Sequence, residues 1–210
     1  MSHAELDTPE PTPAGDTPAA VRKRPKPGER RVQILQALAT MLEQPGAERI
    51  TTAALAARLD VSEAALYRHF ASKAQMFEGL IEFIEQSVFT LINQIAEREA
   101  AGPAQAGRIV AMLIQFAEKN PGMTRVMVGD ALVFENDRLQ QRMNQFFDKV
   151  EASLKQCLRT GADGATPTVD ASVRASVLTA FIVGRLQRFA RSGFKRPPSE
   201  HLEASLARML

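Results

Sequence analysis

A lone cysteine, Cys157, means that the 210-residue chain can close no disulfide within itself. Its place in an apolar helical stripe predicts a buried core thiol rather than a reactive one. The three histidines, His3, His69 and His201, are too scattered for a metal site, so neither a metal nor a cofactor is expected. No nucleophile stands near a base in a recognisable pattern, which leaves no catalytic residue to name and makes an enzyme the weakest reading. No run approaches the roughly 20 apolar residues of a membrane helix, and the N-terminus lacks a charged-then-apolar signal pattern. The expectation is a folded protein of the cytoplasm with no membrane partner. Strand alternation and internal repeats are also missing. The formal net charge is +2, so the placement of charge carries more information than its total.

What is present is apolar periodicity of helical type. With 45% of residues hydrophobic, the chain can bury a sizeable core as an all-α protein of one or two domains. Residues 1–20 hold four acids, no Lys or Arg, and many Pro, Thr and Ala, a composition expected to stay disordered. Arg22, Lys23, Arg24, Lys26, Arg30 and Arg31 follow just ahead of the first helix. Such an arm can neutralise phosphates or enter a minor groove; the competing reading is a solvated charge run. Three regions result: a tail over 1–28 with the basic arm at 22–31, a head over 29–75, and a body over 76–210.

The head centres on residues 50–73. A first helix is predicted from Glu29 to about Gln44, with Ile34, Leu35, Leu38, Met41 and Leu42 on one face and Pro45 and Gly46 ending it. Thr51 can cap a second helix, with Ile50 stapled to Leu55; Asp60 and Val61 make a turn; Ser62 caps a third, with Val61 stapled to Leu66. In that third helix Leu66 and Phe70 point inward and leave Glu63, Ala64, Ala65, Tyr67, Arg68 and His69 outside. Small residues at the leading end followed by polar ones suit entry into a major groove. An ordinary helical hairpin with an exposed Tyr-Arg-His patch is the plainer alternative.

In the body, Ser72 and Gln75 form an S-x-x-Q capping box for a helix reaching about Arg98. Its stripe is Phe77, Leu80, Ile81, Ile84, Val88, Leu91, Ile92 and Ile95, with Phe83 and Phe89 off it on opposite sides, to be covered by neighbouring helices or by a partner. A helix over about Ala104 to Lys119 is stopped by Asn120, Pro121 and Gly122. A short one runs from Met123 to about Phe134, and a long one carries Leu139, Met143, Phe146, Val150, Leu154 and Leu158. After a loop over Thr160 to Thr168, the segment Val169 to Ser192 is apolar nearly all round and asks for burial on several sides. Pro197, Pro198 and Ser199 open a last helix bearing Leu202, Leu206 and Met209.

The pattern V-S-x-x-x-L-Y-x-H-F-x-S-K, here Val61, Ser62, Leu66, Tyr67, His69, Phe70, Ser72 and Lys73, resembles the DNA-binding domain of TetR-type regulators. One departure is Asp60, where that family commonly has Gly in a left-handed turn position. The resemblance implies a helix-turn-helix head on a larger helical dimerisation and regulatory body. It also implies a homodimer reading palindromic double-stranded DNA, with one or two dimers per site. The DNA-contacting set is then Thr51, Thr52, Ser62, Glu63, Ala64, Ala65, Tyr67, Arg68, His69 and Lys73. In similar proteins Tyr67, His69 and Lys73 match phosphate contacts, while Arg68 is suited to guanine.

The body runs LYRHFASKAQMFEGLIEFIEQS, EKNPGMTR, ALVFENDRLQQRMNQFFDKVEASLKQCLR and RLQRFARSGFKRPP resemble a branch of that family, the nucleoid occlusion factors. This resemblance implies a nucleoid-associated division regulator that, when DNA-bound, contacts the C-terminal tail of FtsZ and antagonises ring assembly. The matching partner-groove positions are Phe83, Lys119 and Asn120, whereas Leu91 stands where that groove can present an arginine. The alternative is the ordinary member of the family, a repressor that releases DNA when a small ligand enters its body, where polar residues such as Gln115 could face a pocket.

Overall fold

The computed structural model describes residues 28–44, 50–160 and 167–210. The tail and most of the arm, the helix stop at Pro45 and Gly46, and the interior of the 160–168 loop lie outside them. Among the described residues every element is helical, as expected.

The head comprises α1 (Glu29–Leu42), α2 (Thr52–Arg58) and α3 (Glu63–Tyr67). Helix α1 ends at Leu42, two residues before the expected Gln44. Thr51 Oγ1 accepts the Ala54 N–H at 3.1 Å, and Ser62 Oγ accepts the Ala65 N–H at 3.2 Å, so both caps form where the sequence puts them. Asp60 sits at φ 53, and the Val61 and Asp60 N–H groups return to the carbonyls of Ala56 and Ala57. That paired return is a Schellman stop with Asp in glycine's place, at a cost on the order of 1 kcal/mol that its short polar side chain lessens.

The body follows as α4 (Lys73–Arg98), α5 (Pro103–Lys119), α6 (Pro121–Met127), a 3₁₀ turn (Asp130–Leu132), α7 (Asp137–Thr160), α8 (Pro167–Arg191) and α9 (Leu202–Met209). Helix α4 has 26 residues, about 39 Å of rod at 1.5 Å per residue. Its predicted stripe is buried through Phe77, Leu80, Ile81, Ile84, Val88 and Ile92, with Leu91 and Ile95 only partly covered. All six stripe residues of α7 are buried, and Cys157 joins them, its Sγ donating to the Gly102 carbonyl at 3.2 Å. Burial pushes the Cys157 thiol up, in keeping with an unreactive core residue.

Three expectations need correction. Helix α5 stops at Lys119 as expected, but the short helix after it opens at Pro121 rather than at Met123; Pro121 occupies the first position of α6, where its missing N–H costs nothing. The helix expected from Met123 to Phe134 stops at Met127, because Gly129 takes φ 84 and a Cβ there would meet the Gln140 side chain at 2.5 Å. The last helix begins at Leu202 rather than at Pro197, since Pro197 to Glu200 form a turn and His201 adopts a left-handed conformation ahead of α9.

Head and body share one core. Buried residues run from Ile34 and Leu66 in the head through Phe77 and Phe146 to Leu186 in α8. The two meet backbone to backbone at Gly122 in α6: a Cβ there would lie 1.9 Å from the Ala39 carbonyl oxygen of α1, so only glycine fits. Helix α7 runs parallel to α4, fastened by Arg138 to Glu78 and by Arg142 to Glu85, whose contact is 2.6 Å. The hydrogen bond it donates to Glu85 holds the Arg142 guanidinium even further up than usual, against the opposing effect of burial.

Candidate nucleic-acid interface

Helix α3 is anchored by Leu66 and by Phe70 just past its end, each 1% exposed. That anchorage turns Glu63, Ala64, Tyr67, Arg68 and His69 to solvent, as expected; Ala65 is half-buried instead, against the head. Thr51 is exposed but its hydroxyl is spent on the cap of α2. Thr52 Oγ1 donates to Glu63 Oε2 at 2.5 Å and accepts from the Tyr67 hydroxyl at 3.4 Å, so three of the expected DNA-contacting residues form one small network. The network fixes the leading carboxylate and the tyrosine ring before any ligand arrives, which lowers the entropic cost of contact. Arg68 has no ion pair with another described residue.

Two cations are placed differently from a simple phosphate contact. Arg31, read from sequence as part of a free arm, donates from Nη1 to the His69 carbonyl at 2.6 Å and lies over the Phe70 ring at 4.1 Å. It thereby satisfies a carbonyl left open beyond α3. Lys73 is half-buried and its ammonium lies 2.5 Å from Glu135 Oε1, in the segment before α7. Sequence reasoning missed Glu135, and a separation of 62 residues offers no local signal for it. The capping box of α4 is also offset: Ser72 Oγ accepts the Gln75 N–H at 3.2 Å, but Gln75 Oε1 accepts from Ala71 rather than from Ser72.

A second concave surface lies between α4 and α5. Leu91, Gln94, Ile95, Ala111, Met112 and Gln115 line an open groove of about 280 Å³, closed at one end by the Arg108–Glu99 pair at 2.9 Å. Phe83, about two turns before Leu91 on α4, is 48% exposed, and Lys119, one turn after Gln115 on α5, is exposed. Asn120 is half-buried with its Nδ2 donating to the Phe116 carbonyl at 2.7 Å, so part of its hydrogen-bonding capacity ends its own helix. Phe89 packs edge-on against Phe146 with ring centroids 5.6 Å apart, the covered outcome of the two weighed for it. Gln115 faces this groove, as the sequence allowed, whereas Met112 was not singled out; its position on the face opposite Leu91 becomes visible only once α5 is docked.

No group of three or more His, Cys, Asp or Glu side chains that could hold a metal occurs among the described residues. No helix among them is long and apolar enough to cross a membrane.

Comparison with known proteins gives consistent results. Residues 34–80 match the family model of bacterial regulatory proteins of the tetR family, and residues 104–209 match a tetracyclin repressor-like C-terminal domain of SlmA-like type. The nucleoid occlusion factor SlmA of Idiomarina loihiensis is 52% identical over 177 residues, covering 83% of this chain and 90% of that one. That of Photobacterium profundum is 51% identical over 181 residues, covering 85% and 92%. Among solved structures, a TetR transcriptional regulator from Legionella pneumophila superposes with a TM-score of 0.69 at 14% identity, covering 87% of this chain and 97% of that one, a likeness of fold alone.

Proposed function

Since the chain belongs to the family of the nucleoid occlusion factor SlmA, a branch of the TetR-type DNA-binding regulators, we propose that it binds palindromic chromosomal sites as a homodimer and, when bound, antagonises FtsZ assembly over the nucleoid. The coarser part is not in question: the protein is a DNA-binding regulator and not an enzyme. The finer reading rests on one observation above others, that chains carrying that name are about half identical to this one over most of their length.

In this reading α3 enters the major groove. Arg68, exposed and unpaired among the described residues, has the reach to pair with guanine O6 and N7, worth about 1–3 kcal/mol of discrimination. Tyr67 and His69, with the capped N-termini of α2 and α3, address phosphates. Arg68→Ala is expected to weaken binding to the specific duplex about 5- to 150-fold while leaving a scrambled duplex nearly unaffected. Equal losses on both duplexes, measured by anisotropy, would reduce Arg68 to a phosphate contact.

The FtsZ tail is assigned to the α4–α5 groove, with Phe83 as its apolar anchor and Lys119 as the cation for an acidic peptide. Asn120 contributes what its cap leaves free. Leu91 in the groove wall makes the recognition more apolar than an arginine there would. Because α4 begins at Lys73 beside the DNA-reading head and carries Phe83 further along, DNA and peptide are expected to bind cooperatively, each tightening the other by the same factor. The test is tail-peptide affinity with and without a specific duplex, for the wild type and for Phe83→Ala. The variant should lose the peptide and keep DNA; equal affinity in all four cases would falsify both the coupling and the anchor.

A further inference from the structure

The α8–α9 junction concentrates positive charge that the readings above do not use. Between Asp170 and Glu200 the sequence holds no acid and six basic residues. Arg185 is spent within the fold, donating to the Glu200 carbonyl at 2.7 Å and to Ser205 Oγ at 3.2 Å. Arg188, Arg191, Lys195 and Arg196 are exposed, and none has an ion pair with another described residue. Complementing the helix dipole accounts for Arg188 and Arg191 in the last turn of α8 but not for Lys195 and Arg196 beyond it.

The backbone holding these last two is fixed rather than loose. Helix α8 ends in a Schellman stop, with the Phe194 N–H on the Phe189 carbonyl at 3.0 Å and the Gly193 N–H on Ala190 at 3.1 Å. Phe194 folds back edge-on against Phe189, centroids 5.1 Å apart, and Arg125 of α6 lies over its ring. Ser192 Oγ accepts from the amides of both Lys195 and Arg196. The two ammonium and guanidinium groups therefore extend from an ordered loop.

Their location decides what they face. Helix α7 starts beside the head end of α4, through the Arg138–Glu78 and Arg142–Glu85 pairs, and α8 packs back along α7, so the C-terminal end of α8 returns to the head end of the body. Helix α6, which meets Phe194 through Arg125, is also the one packed on α1. The recess among Arg185, Arg188, Arg196, Pro197, Pro198 and Glu200, its one acid, holds about 10 Å³, too little to seat a peptide side chain. A shallow cationic surface without an apolar anchor suits a phosphate backbone better than a protein tail.

We propose that Lys195 and Arg196, beyond the end of α8 and off the face that its exposed valines offer to a second copy, form a second, sequence-independent contact to the backbone of the same DNA duplex that α3 reads. The proposal rests on the DNA-binding reading above. It is tested on the full chain with Lys195→Gln and Arg196→Gln combined, in anisotropy titrations over a range of KCl concentrations. The dependence of log affinity on log salt should become shallower by about 0.9 for each phosphate that is no longer neutralised, and binding should fall by the same factor on specific and scrambled duplexes. Slopes and affinities equal to the wild type would overturn the patch while leaving the recognition helix intact, because wild-type binding and its loss in Arg68→Ala are read in the same assay. Failure of the wild type to bind any duplex would remove both proposals. Acetylation footprinting of the wild type needs no variant: Lys195 should be protected by duplex. Protection by phosphatidylglycerol vesicles or by an FtsZ tail peptide but not by duplex would also overturn the proposal.

Discussion

Val177→Glu is expected to turn the protein into a folded monomer. Val169, Val173 and Val177 are 60%, 59% and 49% exposed and follow one another at intervals of four along α8, while Leu178, Ile182 and Leu186 on its other side are fully buried. The single chain thus satisfies only part of the apolar surface of α8, and in the homodimer proposed above a second copy meeting it about a two-fold axis would supply the rest. An unpaired carboxylate at that interface costs several kcal/mol, and the symmetry places it there twice. Within the monomer the same glutamate points into water, so folding is spared. Phe181→Glu is the less clean variant, because Phe181 is half-buried against the core and under Arg185 at 4.8 Å. Light scattering at micromolar concentration checks the result; a stable Val177→Glu dimer would put the interface elsewhere. Affinity for a palindrome should fall with the dimer, since two half-sites would no longer be engaged by one particle.

The second large effect is expected from Gly122→Ala. In most helices this change adds about 1 kcal/mol of stability. Here the new methyl would lie 1.9 Å from the Ala39 carbonyl oxygen and 2.8 Å from its carbon, both backbone atoms of α1 that have no rotamer with which to retreat. Overpacking of that kind typically costs about 1–3 kcal/mol, and for a chain of this size each kcal/mol lowers Tm by about 2–4 °C. A drop of several degrees in calorimetry is expected, with DNA affinity reduced because α1 carries Arg31 and Phe70 is held beneath it. A Tm at or above that of the wild type would show that the head and body do not press together at this point.

The head was legible in the sequence because its geometry is set by short-range chemistry. Thr51, Ser62 and Ser72 each cap the helix that follows them, and Asp60 takes the left-handed turn its position demanded. The long stripes of α4 and α7 were legible for the same reason, being periodic over many turns. What was not legible depends on packing between distant segments. Pro121 and Gly122 read as a stop, and α5 does end there, yet they also open α6, and the need for glycine at 122 is set by the Ala39 backbone some 80 residues earlier. Lys73 matched a phosphate-contact position, and its pairing with Glu135 was not legible, since nothing near either residue announces it. The α4–α5 surface was half visible: Gln115 was open to a pocket, and Phe83, exposed beyond the groove lining, was off its stripe by simple helical geometry, whereas Met112 needed the docked α5.

The contact between Gly122 and Ala39 also bears on distance. A head that shares its core with the body and touches it backbone to backbone cannot swivel freely on a hinge. In a symmetric dimer the two recognition helices are then held at one separation and one relative rotation, as the jaws of a fixed gauge are. Adding a single base pair between half-sites moves one of them about 3.4 Å along the duplex and turns it by about 34°, and a rigid frame can follow neither without straining itself or the DNA. Spacer length therefore becomes part of the recognised signal: such a protein discriminates by calliper as well as by letter.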